Sequence, residues 1–302
     1  MPPRLSTGII GLDNLLEGGL LPHSVTGVIG SPGTGKTTVA LNFILEGLES
    51  GDHALYLTFE ESPKKLLSEA ALMGLEGLES YYDEGSLIFH HATGEEVVSF
   101  LTETLPHSID DLKKAMKVHS RVVVDPLTPV LWELEERKRQ RAILTRSFDL
   151  LREFGTILIT LEEPTAEAGS RTQETAIPLY LVDNIINLQF LGLGGQYGRT
   201  LRIYKSRGTR HGELVYPLMF MRGAGVVVFG ETEIGKENAE IPDYTPIFDE
   251  YARKIAQLPD SHSKATLLSR IALLKQDWIS SASPESVLQE LYTKFRKLME
   301  IY

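Results

Sequence analysis

Eight consecutive residues, Gly30-Ser31-Pro32-Gly33-Thr34-Gly35-Lys36-Thr37, fit the pattern G-x-x-x-x-G-K-[ST]. Glycines let main-chain N–H groups turn inward around phosphate oxygens, where a Cβ would block both the conformation and the approach. Lys36 supplies an ammonium to the outer phosphates, and the Thr37 hydroxyl is a ligand for Mg²⁺. A helix starting at this point aims its positive end at the same anion, so the cradle extends over Ser31, Pro32, Gly33, Thr34, Gly35, Lys36, Thr37 and Thr38. The chemistry implied is binding of a nucleoside triphosphate with Mg²⁺. The context agrees: an apolar run at 25–29 precedes the pattern, and an amphipathic segment carrying Val39, Phe43, Ile44 and Leu48 follows it.

Two acidic positions could complete such a site. Arg121-Val122-Val123-Val124-Asp125 is an apolar strand ending in a carboxylate, the type of residue that holds Mg²⁺ directly or through water. Glu60-Glu61 closes a second apolar run. Adjacent carboxylates at a sheet edge can orient or deprotonate an attacking water. They can equally be a solvated pair opening the next helix, with Ser62-Pro63 as its cap. The residues alone leave both readings standing.

These groups need a frame to converge. Short apolar runs predict strands at 25–29, 54–59, 87–91, 121–124, 156–161, 184–190, 200–204 and 226–229, with helices at 36–48, 63–73, 97–105, 109–118 and 139–153. Leu144, Phe148, Leu151 and Phe154 recur at helical spacing, the stripe of a helix laid on a sheet. Alternating strands and helices predict an α/β fold with a mainly parallel sheet covered on both faces. The last strands lack helices between them, and Gly192 to Gly198 reads as a hairpin turn, so an antiparallel edge is expected. After Gly230 the chain turns acidic, with Pro242 and Pro246, which predicts a linker over 231–246 between a core of 1–230 and a small helical extension at 247–302. In the extension, Leu267, Leu268, Ile271, Leu274 and Trp278 mark one amphipathic helix. A second opens at Ser283-Pro284-Glu285 and carries Val287, Leu288, Leu291, Tyr292, Phe295, Leu298 and Met299. Their docking surface is left open: the core, a second copy or another protein.

Composition narrows the function. The 302 residues are 42% hydrophobic and 24% charged, and 30 Lys plus Arg against 41 Asp plus Glu give a net charge of −11. Such a chain gains little from counterion release on nucleic acid, which argues against a dedicated DNA binder. Cysteine is absent, which removes disulfides, thiolate metal sites and cysteine nucleophiles. No charged-then-apolar leader opens the sequence, and no apolar run approaches the roughly 20 residues of a membrane span, so a cytoplasmic location is expected.

The ordered motifs resemble the KaiC and RadA group of RecA-type ATPases. Thr7-Gly8-Ile9-Ile10-Gly11-Leu12-Asp13-Asn14-Leu15-Leu16-Glu17-Gly18-Gly19 is similar to the group's TGIxGLDxLLxGG opening. Thr58-Phe59-Glu60-Glu61-Ser62-Pro63 is similar to its TFEESP motif, and Lys205-Ser206-Arg207-Gly208-Thr209-Arg210-His211 to its KxRGTxH motif. With the cradle and Asp125, the likeness covers about residues 5–229. It implies a RecA-type domain, ATP as the nucleotide, and Glu60, with Glu61 beside it, as activator of the water. It also implies that Lys205 and Arg207 reach the ATP site of an adjacent subunit in a homo-oligomeric ring, most often a hexamer, with Thr209 and His211 of the same motif as further nucleotide-binding positions. Read without the resemblance, 205–211 is a basic strand-to-loop turn. Two departures stand out. Pro126 follows the strand-end Asp where the group often has a small hydroxyl residue, and Leu179-Tyr180 falls where KaiC carries an autophosphorylated Ser-Thr pair. A phosphorylation clock is therefore not implied.

Other features read as surface. Arg137 to Arg141 follows Glu133, Glu135 and Glu136, which suits helix-surface pairing or a subunit contact better than nucleic acid. His90-His91 lacks metal-ligand spacing. The leading expectation is a Mg²⁺-dependent, ring-forming ATPase that switches conformation for a partner. A low-turnover ATP-sensing scaffold docking a partner through the C-terminal helices is the alternative, with a RadA-like recombination factor behind it.

Overall fold

The structure is a computed structural model that describes residues 3–93, 96–115, 120–134, 136–163, 176–190, 198–230, 242–259, 262–278 and 283–301. Six parallel strands form its centre: β1 (Val25–Gly30), β2 (His53–Thr58), β3 (Leu87–His91), β4 (Ser120–Asp125), β5 (Gly155–Glu162) and β6 (Asn184–Phe190). Antiparallel β7 (Arg199–Ser206), β8 (Val215–Met221) and β9 (Gly225–Val228) extend one side, in the order β3-β2-β4-β5-β1-β6-β7-β8-β9. The antiparallel edge is as expected, with one strand more: β8 contains Pro217, and Leu214 and Val215 are exposed, so its sequence lacks a clean alternation. The expected hairpin turn at Gly192–Gly198 lies, apart from Gly198, outside the described residues.

Helices cover both faces. α1 (Leu12–Leu15), α2 (Lys36–Glu49), α3 (Pro63–Leu72) and α4 (Leu78–Asp83) pack on one. On the other lie α5 (Glu96–Ser99), which runs through a π-helical turn at Phe100–Thr104 into α6 (Leu105–Ala115), then α7 (Thr128–Glu133), α8 (Arg137–Phe154) and α9 (Ala176–Leu181). The stripe Leu144, Phe148, Leu151 and Phe154 is buried against this second face. Strand residues alternate between the two cores: Ala54, Tyr56, Val123 and Leu158 face α2, whereas Leu55, Leu57, Val122, Val124, Ile157 and Ile159 face α8.

Among the described residues, three helices rather than two follow the core: α10 (Thr245–Ala256), α11 (His262–Asp277) and α12 (Glu285–Ile301). The first begins at Thr245, two residues inside the segment read as a linker, because Pro246 sits in its first turn, where its missing N–H costs nothing. Residues 231–241 of that segment lie outside the described residues. Phe248, Tyr251, Ile255, Ile271, Leu274, Leu288 and Phe295 bury together against Ile10, Met221, Ala224, Val227 and Phe229. The extension thus docks on its own sheet edge.

A buried cation ties the N-terminal lead to the core. Arg121 is 1% exposed. Its Nε donates to Asp52 Oδ2 at 2.9 Å, one terminal nitrogen donates to Ser6 O at 2.6 Å, and the guanidinium lies 4.8 Å from the Phe43 ring centroid. Removing one partner of a buried pair leaves an uncompensated charge, so Asp52→Ala should destabilise the fold by about 3 kcal/mol in urea unfolding. A change below about 0.5 kcal/mol would show that Ser6 and Phe43 suffice for Arg121.

Candidate functional site

The loop between β1 and α2 carries the phosphate-cradle pattern at the C-terminal edge of the parallel strands. Gly33 and Gly35 adopt φ of 78° and 101°, values that disfavour any side chain, and a Cβ on Gly35 would lie 2.0 Å from Phe220 Cζ. Gly35 is the N-cap of α2 and, having no side chain, makes no cap hydrogen bond to the helix's first amides. Thr34 is buried and donates through Oγ1 to Ser31 O at 2.8 Å, closing the loop on itself. Lys36 folds back over it, its Nζ donating to Gly30 O at 2.8 Å and Ser31 O at 3.2 Å.

The pleat decides what faces that ammonium. Asp125 lies two residues beyond Val123, and Thr160 and Glu162 lie two and four beyond Leu158, so all three point to the α2 side. Asp125 is 5% exposed and accepts from Tyr56 OH at 2.5 Å, from Thr160 Oγ1, and from Thr37 Oγ1 at 3.4 Å. The Asp125–Pro126 peptide is cis, and Asp125 keeps its place at the end of β4. Burial pushes the Tyr56 phenol well up, and the facing Asp125 adds to it, so Tyr56 stays a donor. Burial lowers the Lys36 ammonium, opposed by Glu162, Asp125, Glu60 and Glu163 in that order. Partial burial raises the Glu60 carboxyl, helped by Glu162, Asp125 and Glu61, with Lys36 opposing. The surroundings of Lys36 are thus rich in carboxylates.

Glu60 and Glu61 part company. Glu61 Oε1 accepts from exposed Lys65 Nζ at 2.6 Å and its carbonyl accepts from Thr58 Oγ1, while Ser62 Oγ accepts from Lys65 N at 3.4 Å and Pro63 opens α3. The helix-opening reading therefore describes Glu61, and the charge coupling to Lys36 and Asp125 belongs to Glu60.

Lys205 and Arg207 are not brought to this cradle. β6 runs parallel to β1 with Asn184 beside Thr26, and Ser206 pairs with Asn184, so both cations sit at the opposite edge. Arg207 lies level with the start of β1, roughly 15 Å along the strand from Gly30. Lys205 Nζ donates to Val182 O at 2.6 Å, and Arg207, mostly exposed, lies 3.7 Å from Asp183. Thr209 Oγ1 accepts from an Arg4 guanidinium nitrogen at 2.6 Å, and His211 Nδ1 lies 2.9 Å from Gly212 O.

The structure adds three groups that the motifs do not contain. Arg199 donates to Gly33 O at 3.1 Å and stacks within 5.0 Å of Phe190 and 4.7 Å of Phe220. Nothing in sequence marks it, because only the antiparallel pairing of Arg199 with Phe190 returns it to the loop. Tyr56 reads as an apolar strand residue until the β2–β4 pairing sets it beside Asp125. Glu162 aligns with Gly30 across β1 and β5, and its N–H donates to Thr128 Oγ1.

A phosphate loop closing β1, with strand-end acids turned toward its lysine, defines a P-loop protein of the RecA superfamily. Residues 5–233 match the family described as "ATPase: KaiC", and the chain belongs to that family. The circadian clock protein KaiC3 of Synechocystis sp. is 27% identical over 250 residues, 79% of this chain and 48% of that protein. The circadian clock oscillator protein KaiC of Picosynechococcus sp. is 31% identical over 225 residues, 71% of this chain and 42% of that protein. The chain spans about half the length of the curated relatives it matches. The crystal structure of a KaiC-like protein from the hyperthermophilic archaeon Pyrococcus horikoshii is 29% identical with a TM-score of 0.64, covering 76% of this chain and 100% of that one. Among the described residues, no helix is long and apolar enough to cross a membrane, and no group of three or more His, Cys, Asp or Glu side chains forms a metal cluster.

Tyr56→Phe keeps the ring and deletes only the donor to Asp125. It should lower stability by about 1.5 kcal/mol in chemical denaturation, the worth of a hydrogen bond to a charged acceptor. An unchanged midpoint would mean that Thr160 and Thr37 satisfy Asp125 without it.

Proposed function

We propose that this protein is a Mg²⁺-dependent ATP-binding and ATP-hydrolysing regulatory ATPase that works as a ring of copies. The observation that carries the reading is Lys36 bonded to the loop's own carbonyls, its proton affinity supported against burial by Glu162, Asp125, Glu60 and Glu163. Such a cradle repels a bare triphosphate and suits one that arrives with a divalent cation. The oxygen donors Thr37 and Asp125, 3.4 Å apart, fit a hard cation whose remaining ligands come from phosphate and water. Bound there, Mg²⁺ would neutralise charge developing on the phosphate oxygens.

In this reading, main-chain amides between Ser31 and Thr38, Pro32 excepted because it has no N–H, hold the phosphates, and Lys36 turns from Gly30 O and Ser31 O onto the outer ones. Glu60 accepts a proton from the attacking water, and its raised affinity for protons suits a base. Lys205 and Arg207, with Thr209 and His211 following, act on the adjacent copy's nucleotide, since a sheet's length separates them from their own. Added cations stabilise the transferring phosphoryl group. A cytoplasmic location goes with this reading, and the net charge of −11 leaves nucleic acid an unfavoured partner.

Glu60→Gln should bind Mg²⁺-ATP as the parent does but release phosphate about 100-fold more slowly. Because the active form of Glu60 is the carboxylate and its pKa is raised, parental hydrolysis should fall as pH drops through a value above the ordinary Glu range, and that limb should vanish in the variant. Parental turnover in Glu60→Gln, with Lys36→Ala still binding nucleotide, would dismiss the proposal.

The ring has its own test. Glu60→Gln and Arg207→Ala proteins, each nearly inactive, should regain part of the parental phosphate release when mixed, because some interfaces then pair an intact Glu60 with an intact Arg207. A mixture no faster than the sum of its parts would overturn the action of Arg207 on an adjacent copy.

A further inference from the structure

The C-terminal helices begin beyond the family match, which ends at residue 233, yet they reach the phosphate-binding helix itself. Three α2 side chains at i, i+4 and i+7 share one face and each meets a different element. Asn42 Oδ1 accepts from Val226 N of β9 at 2.8 Å. Glu46 Oε2 accepts from Lys294 Nζ of α12 at 3.1 Å, and Glu49 Oε1 accepts from Arg270 of α11 at 2.6 Å. Lys294 also lies 3.7 Å from Glu290, whose other oxygen accepts from Gly11 N of the N-terminal lead. These ions are substantially enclosed: Lys294 and Glu46 side chains are 27% and 14% exposed, Arg270 and Glu49 15% and 27%. Burial pushes the Glu46 carboxyl up, but Lys294, Ser6 and Arg121 together outweigh it and leave it below its ordinary value, the signature of a pair that holds.

We infer that Lys294 and Arg270 are positioning residues for the nucleotide site, clamping the far half of α2 so that nucleotide binding and docking of α11 and α12 favour each other. The inference rests on the phosphate-binding reading of the loop. α2 is an unbroken 14-residue helix, about 20 Å long, with Lys36 in its first turn and Glu46 and Glu49 in its last. A rod held at one end restricts motion at the other, and the coupling is reciprocal by thermodynamic necessity.

Hydrogen–deuterium exchange on the full chain, with and without a non-hydrolysable ATP analogue and Mg²⁺, reads the coupling without any substitution. Amides of α11 and α12 should exchange at least about threefold more slowly when nucleotide is bound. Lys294→Met and Arg270→Met, on separate helices, should each weaken binding of a fluorescent ATP analogue by about fivefold, the low end of ordinary coupling, and Lys294→Arg should restore most of it. Nucleotide that binds the parent and leaves α11 and α12 exchange unchanged overturns the inference and spares the ATPase reading. So does faster exchange in either methionine variant with parental affinity. A parent chain that binds no nucleotide takes both readings down, and if a methionine variant fails to fold, the parental exchange comparison still decides.

Discussion

The pleat of the parallel sheet is the constraint on which the site depends. On a strand, residues two apart face the same side. The alternation that buries Tyr56, Val123 and Leu158 beneath α2 therefore also carries Asp125, Thr160 and Glu162 to that side at the strand ends. A one-residue slip of β4 would bury Val122 and Val124 under α2 and turn Asp125 to the opposite face. Core packing and site assembly are one register, held by the same ladder of β2, β4, β5 and β1.

Charge then shapes what the assembled edge can do. Asp125 is tied by Tyr56, Thr160 and Thr37, so its orientation does not wait for a ligand. Lys36 is parked on two carbonyls amid acids that offset the cost of burying it. Glu60 is more exposed than these, and Glu61 pairs with Lys65 on the helix surface.

The two motifs lie at opposite ends of the sheet. The cradle lies at the C-terminal edge of the parallel strands, and Lys205 and Arg207 lie at the N-terminal edge, so the chain's own topology keeps its basic motif from its own loop. Behind the cradle, α11 and α12 turn apolar faces to β8 and β9 and charged tips to α2. Among the described side chains, which exclude those of Leu298 and Met299, these apolar stripes are occupied within the chain.

Local order carried far in this protein. Phosphate-loop glycines, the strand-end Asp125, the Ser62-Pro63 helix start, the buried stripe of α8 and the amphipathic spacing of α11 and α12 were legible because each is dictated by neighbours a few residues away. β8, with Pro217 and an exposed start, and α10, hidden behind an acidic Pro-containing segment, lack such a local signature. Tyr56 and Arg199 were illegible for a different reason: one is an ordinary strand residue and the other an ordinary arginine until strand pairing sets them against Asp125 and Gly33. Residue type and short-range spacing were enough to mark the groups able to do chemistry, because they set loop, helix start and strand. Long-range packing settled the rest: Tyr56 meets Asp125, Lys205 and Arg207 lie at the sheet edge opposite the loop, and the C-terminal helices bond to α2. Those outcomes depend on register and packing between segments tens to hundreds of residues apart, which no local pattern encodes.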